Sequence, residues 1–369
     1  MAYRTRRAGA ALLGGALIGV LACEPAAPGY GEPPELDHSR WEPVALTAEV
    51  VTDSEFLALP KEVEVVGPYL TLIDAAADSV ITVVRRATGE LVRTFGRRGE
   101  GPGEYSGAWS IEPVPGSENA IWIYDFSLLR LTRVSLDRTG RAGQPATRMV
   151  HLSSEVIVVD PVWVDSTVMS LGLFSSGRLA QFGADGRLIR TFGSLPPGDD
   201  EIPPAVLQHA YQSKLKANPS RTRLALATRH ADRLEIYRPD GRLVAAPPPL
   251  FGFLPKFEIR EDDGEPAMAT GQDLRFGYID LTTTDDRIFA LFSGRTRRGF
   301  PGRANFGEYV HVFDWDGRLL SVLRFDSDAL SISVDPSGRT LYAIRHDPRP
   351  AILAYALPAP PTLVRLGSR

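Results

Sequence analysis

Cysteine is nearly missing from this chain: Cys23 stands alone among 369 residues, so no disulfide can form within it. Histidine is sparse too. His38, His151, His209, His230, His311 and His346 are scattered, and none has a second at helical or zinc-ligand spacing, so no metal-binding pattern is present. No Gly-x-Ser-x-Gly elbow occurs, which leaves nucleophilic hydrolysis without support. Excess positive charge is also lacking, since 41 Lys and Arg face 45 Asp and Glu, a net charge of −4. Such a chain has no general attraction for nucleic acid or anionic lipid. The glycine-rich stretch from Gly96 to Gly103 lacks the third Gly at dinucleotide spacing and the Lys of a phosphate loop, and no helical pattern follows it. Asp314-Trp315-Asp316-Gly317 begins like a calcium loop but lacks the closing Glu, and reads as a hairpin turn. No catalytic residue, metal or cofactor is therefore expected.

What the chain does have is turn chemistry. Its 34 Gly and 30 Pro are spread along it, as many turns and short strands require. The N-terminus differs from the rest: Arg4, Arg6 and Arg7 precede the uncharged run Ala8–Val20, the layout of a secretory signal and too short for a good membrane-spanning helix. Val20-Leu21-Ala22-Cys23 then resembles the lipobox of bacterial lipoproteins, which implies a lipid on Cys23, export, and attachment to the cell envelope. Losing residues 1–22 removes three Arg and no acid, so the mature charge becomes −7. Pro25, Pro28, Pro33 and Pro34 lie among small and polar residues and suggest a tether over 23–42, leaving 43–369 as the folded domain.

Internal repetition carries the fold. Short β-rich segments come in pairs: 69–73 with 79–84, 120–124 with 129–134, 168–173 with 178–182, 223–227 with 233–237, 287–292 with 309–313, and 340–344 with 351–355. Most pairs lead into a Gly turn, at 89, 140, 186, 241 and 317, spaced 51, 46, 55 and 76 residues apart. Gly tolerates the positive φ of tight hairpins. An outer strand follows, as in Glu90-Leu-Val-Arg-Thr-Phe95. Six such units predict an all-β, six-bladed propeller of four-stranded antiparallel blades, because a lone four-stranded sheet leaves faces and edges uncovered. The spacing also admits a seventh, divergent unit. Ring closure is expected between a strand near Pro43–Thr47 and Thr362–Leu366.

Thr94-Phe-Gly-Arg-Arg-Gly-Glu-Gly-Pro-Gly-Glu-Tyr105 resembles the inter-blade loop of NHL-type propellers. With His311-Val-Phe-Asp-Trp-Asp-Gly-Arg318 and Val334-Asp-Pro-Ser-Gly-Arg-Thr-Leu-Tyr-Ala-Ile344, it is similar to the TolB-like six-bladed propeller lipoproteins over roughly residues 45–366. That resemblance implies an architecture and says little of activity.

Loop lengths say more about function. In an up-and-down blade, the connections from strand two to three, and from strand four to the next blade, share one face. All the long connections are of these kinds: 96–109, 193–210, 245–273 and 293–308. Function on a rigid scaffold concentrates in such loops. Arg97, Arg98, Tyr105 and Trp109 in one loop, and Arg297, Arg298 and Phe300 in another, are residue types enriched at binding hot spots. They form the expected binding face for a protein, peptide or glycan, on a monomer. The rival expectation is a metal-dependent propeller enzyme, lactonase- or lyase-like, with His151 and His209 near the innermost strands at the channel mouth.

Overall fold

A computed structural model describes residues 36–136, 148–153, 157–198 and 201–359. Cys23, the signal region, the Gly140 turn and the strand expected at 362–366 lie outside the described residues.

Six blades are present. Blade one runs Pro60–Val66, Tyr69–Asp74, Ile81–Arg85 and Leu91–Phe95, antiparallel throughout. Blades two, three and four repeat this plan, starting at Ala108–Pro113, Val158–Val164 and Ser213–Ala217. Blades five and six start at Tyr278–Thr283 and Ser331–Val334. The six strand pairs read from the sequence are the second and third strands of the six blades.

Burial falls from axis to rim, which is why the inner strands are rich in apolar residues. Pro60–Val66 is buried at all but one position, while Leu91–Phe95 is half-buried or exposed. Apolar clusters fill every junction between neighbouring blades. One joins Val63, Leu70 and Leu72 of blade one to Tyr342, Ile344 and Ile352 of blade six, so the ring is closed by packing as well as by pairing. Trp122 stacks on Trp163 between blades two and three with centroids 4.8 Å apart, and Phe325 stacks on Tyr355 between blades five and six at 4.0 Å. Each fully buried side chain of this kind contributes about 1.5–3 kcal/mol.

The turn glycines serve two needs. Gly186 has φ +84°, and a Cβ there would lie 1.9 Å from the His151 carbonyl on the outer strand of the preceding blade. Gly89 is held against Val51 in the same way. Positive φ and close approach together demand glycine.

Closure uses different partners from those expected. Ala48–Thr52 forms the outermost strand of blade six, antiparallel to Ala351–Ala356. Val44–Leu46 lies parallel to Leu319–Ala329 as a fifth strand on blade five. Ala351–Ala356 would otherwise present an open outer edge, and 48–52 covers it. The end of the expected tether is also ordered. Ser39–Trp41 forms a short 3-10 turn, and His38 is buried, stacked on Tyr309 of blade five at 3.7 Å. No helix among the described residues is long and apolar enough to cross a membrane.

Candidate functional site

The innermost strand of each blade has one open edge facing the axis and its neighbour, and open N–H groups there need acceptors. Side chains from the adjacent blade supply them. Ile111 N donates to Glu62 at 3.1 Å, Trp163 N to Glu112 at 2.9 Å, and Ile332 N to Asp280 at 2.8 Å. Val63 N and Val65 N donate to Ser331 and Ser333 at 3.2 and 3.0 Å. Polar residues therefore recur at every second position of strands that are otherwise apolar, because only one side of each strand meets the axis.

Those carboxylates are buried, and buried charge needs a partner. Two lysines from blade four reach across the axis. Lys214 Nζ lies 3.3 Å from Glu62 and 3.7 Å from Asp160, and Lys216 Nζ lies 2.7 Å from Glu64. Arg221 pairs with Glu112. Burial opposes the Lys214 charge, but Asp160, Glu62 and Asp280 outweigh it and hold the ammonium above its ordinary range. Lys216 is raised in the same way, by Glu64 and Glu62. A small cavity of about 10 Å³, room for about one water, lies among Glu62, Glu112, Asp160 and Lys214.

A funnel opens on each side of these ion pairs. On the face of the tight first-to-second-strand turns, about 440 Å³ is bounded by Val66, Val114, Pro115 and Pro336 above the Lys216–Glu64 and Arg221–Glu112 pairs. On the face of the long connections, about 350 Å³ is bounded by Lys61, Trp109, Arg229, Phe306 and His346 above Lys214 and Asp280. Trp109 is held in place from two sides. Asp125 accepts from Ser106 N at 2.7 Å and from Gly107 N at 3.1 Å, fixing the loop that delivers it, and the indole donates to Asp160 at 2.9 Å. Asp74 grips the connection into blade one likewise, accepting from Ala58 N and Leu59 N at 2.8 Å.

A six-fold ring with a polar axis matches a family known by sequence. Residues 42–337 match the profile of the family described as TolB-like 6-blade propeller-like. The chain belongs to that family. No curated protein matches its sequence. Among solved structures, this TolB-like propeller is similar to a member of the DUF4221 family from Bacteroides vulgatus, at 9% identity and a TM-score of 0.54. That match covers 84% of this chain and 95% of the other. It is also similar to the WD40 repeats of RRP9, at 10% identity and a TM-score of 0.51, over 84% of this chain and 97% of that one. At such identities the likeness is one of fold alone.

The loop residues singled out in this TolB-like chain meet different fates. Tyr105 is 1% exposed, packed against Ile81 and Ile111 in the core between blades one and two, and offers no surface. Arg97 pairs with Glu104 at 3.3 Å, where Arg97–Arg98 and Glu104–Tyr105 form a small parallel ribbon inside the glycine-rich loop. Arg98 donates to the Ala75 carbonyl. Arg297 donates to Thr270 at 2.7 Å, and Arg298 pairs with Asp273 at 2.7 Å. Arg98, Arg297 and Arg298 tie one loop to another segment, and Arg97 closes its own loop. Phe300 stays 42% exposed beneath the Arg295 guanidinium, and Trp109 is 37% exposed at the funnel. Of the seven residues, Trp109 alone lines the funnel.

His151 ends the outermost strand of blade two, and His209 lies on the helix Pro204–Ala210 in the connection into blade four. Both precede an inner strand in sequence, yet neither lines the cavities along the axis. Among the described residues no group of three or more His, Cys, Asp or Glu is arranged to hold a metal ion. Asp314 accepts from Asp316 N at 3.0 Å and from Arg318 N at 2.8 Å, as a hairpin turn requires. The funnel residues Lys61, Lys214 and Arg229 carried no motif. Their one signal was charge alternating with apolar residues, as in Lys214-Leu215-Lys216.

Proposed function

We propose that this TolB-like propeller is a non-catalytic binding scaffold of the bacterial cell envelope, held by a lipid on Cys23, that receives its partner on the face of the long connections. One observation carries the reading: four long connections, 96–109, 193–210, 245–273 and 293–308, open on the same face, around a funnel with Lys214, Glu62 and Asp160 at its floor. Inner-strand carboxylates engaged as inter-blade acceptors support the non-catalytic reading. The funnel is within the ordinary size range of ligand sites. Basic start, apolar run and Cys23 together support the lipid anchor.

A photo-crosslinking side chain placed at Trp109 or Phe300, and for comparison at Gly116 on the opposite face, tests the assignment in intact cells. Discrete adducts are expected from 109 and 300 and none from 116; adducts from 116 alone overturn it. Cys23→Ser should move the protein out of the membrane fraction with its fold intact. Unaltered fractionation would remove the lipid from the proposal.

A further inference from the structure

We infer that the funnel on the long-connection face is a site for an oxyanion, a carboxylate or a phosphate ester, gripped between Arg229 and Lys61; this rests on the reading of that face as the binding face. Several arginines on this face are committed. Arg295 and Arg303 both bind Asp328, Arg297 binds Thr270, Arg298 binds Asp273, and Arg130 donates to the Glu100 carbonyl at 2.8 Å. Arg229, which lines the funnel, is not. Its backbone N–H donates to Gln212 O at 2.7 Å, yet its guanidinium makes no hydrogen bond or ion pair among the described residues. Its nearest recorded side-chain contact is the Phe276 ring, 5.6 Å from Cζ.

Such a guanidinium presents a planar fork of N–H donors, and here they remain open to the funnel. Asp160 and Asp280 attract it from a distance, but both are engaged elsewhere: Asp160 by Trp109 and Lys214, Asp280 by Ile332 N. Burial and the neighbouring Arg297 both disfavour its charge, so a bound anion would relieve both penalties. Lys61 enters the same funnel from blade one, opposite blade four, and it too has no partner among the described residues. The floor cation, Lys214, is neutralised by Glu62 and Asp160, so it does not compete. Between the two free cations, Trp109 and Phe306 supply an apolar wall for the carbon skeleton that carries the anion. The guanidinium fork fits a planar carboxylate or a phosphate equally well.

Trp109 emission, titrated at low ionic strength with succinate and separately with inorganic phosphate, reads the site in the purified protein, with Trp109→Phe to identify the signal. Saturable binding of at least one anion is expected, with neutral succinamide failing to compete. Succinate alone would mark a carboxylate ligand, and phosphate alone a phosphate ester. Arg229→Gln should weaken binding roughly tenfold or more and Lys61→Gln roughly threefold, while Arg229→Lys retains part of it. Lys61 is exposed, so its variant tests the site even if position 229 disturbs folding. No saturation by either anion, or equal affinity in wild type and Arg229→Gln, overturns the inference. Crosslinks from 109 that persist without any anion binding would sink the anion site and leave the binding face standing. Arg229-dependent anion binding with crosslinks only from 116 would do the reverse.

Discussion

The two ends of the channel are made from the same six inner strands, yet they treat charge differently. At the end with tight turns, Glu64 is matched by Lys216 and Glu112 by Arg221, under a rim of Val and Pro. At the other end Lys61, on the first strand of blade one, and Arg229, just after the second strand of blade four, face the funnel with no partner among the described residues. Both cations sit on or beside blade strands, so the difference is one of pairing across the axis and not of loop length. At one end Glu64 and Glu112 each meet a counter-charge, and at the other Lys61 and Arg229 do not.

The contrast can be broken most severely at the shared waist. Lys214→Met would leave buried Glu62 and Asp160 without their cation, and a loss of about 3–5 kcal/mol is expected in urea unfolding. An unchanged midpoint would mean the waist charges are not a unit.

A second contrast separates this paired axis from the N-terminal segment on blade five, where histidines are buried uncharged. Burial pushes His38 down to about 4, and His311, buried beside it, is lowered as well. The unfolded chain takes up the His38 proton near pH 6.5, whereas the folded chain resists until about 4. Stability from this group is therefore complete above pH 6.5 and declines as pH falls toward 4, by about 3 kcal/mol. His38→Phe should flatten that part of the stability–pH curve; an identical slope would place the titration elsewhere.

The sharpest comparison is also the smallest in energy. Arg221→Met at the tight-turn end should cost about 2–3 kcal/mol, because Glu112 is left buried without its partner. Arg229→Met at the other end should fall within about 0.5 kcal/mol of wild type, since no bond is lost. Equal costs at the two positions would erase the distinction between the funnels.

Much of the ring was legible residue by residue. Ala120–Asp125 and Ile288–Phe292 are short, apolar and β-branched or aromatic, and turns bound them. The inner strands were not, because Glu62-Val63-Glu64 and Lys214-Leu215-Lys216 alternate charge with apolar residues and read locally as half-exposed surface. Their charges make sense only across the axis, where residues 152 apart in sequence meet. Tyr105 shows the converse error: an aromatic in a glycine-rich loop looked exposed, but the loop folds it inward beside Ile81. Residue type at a loop position does not reveal which way the side chain turns.

Composition and repeat spacing alone determined that this chain makes strands, that the strands come in six units, and that connections from strand two to three and from strand four to the next blade share one face. Those properties depend on neighbours in sequence: the two-residue period of a strand, the positive φ of a glycine turn, and the alternation of connections along a meander. Which acid meets which base, which strand closes the ring, and which cation is left without a partner were decided by tertiary structure. Each depends on distances across the axis between segments far apart in the chain, and no local pattern encodes such a distance.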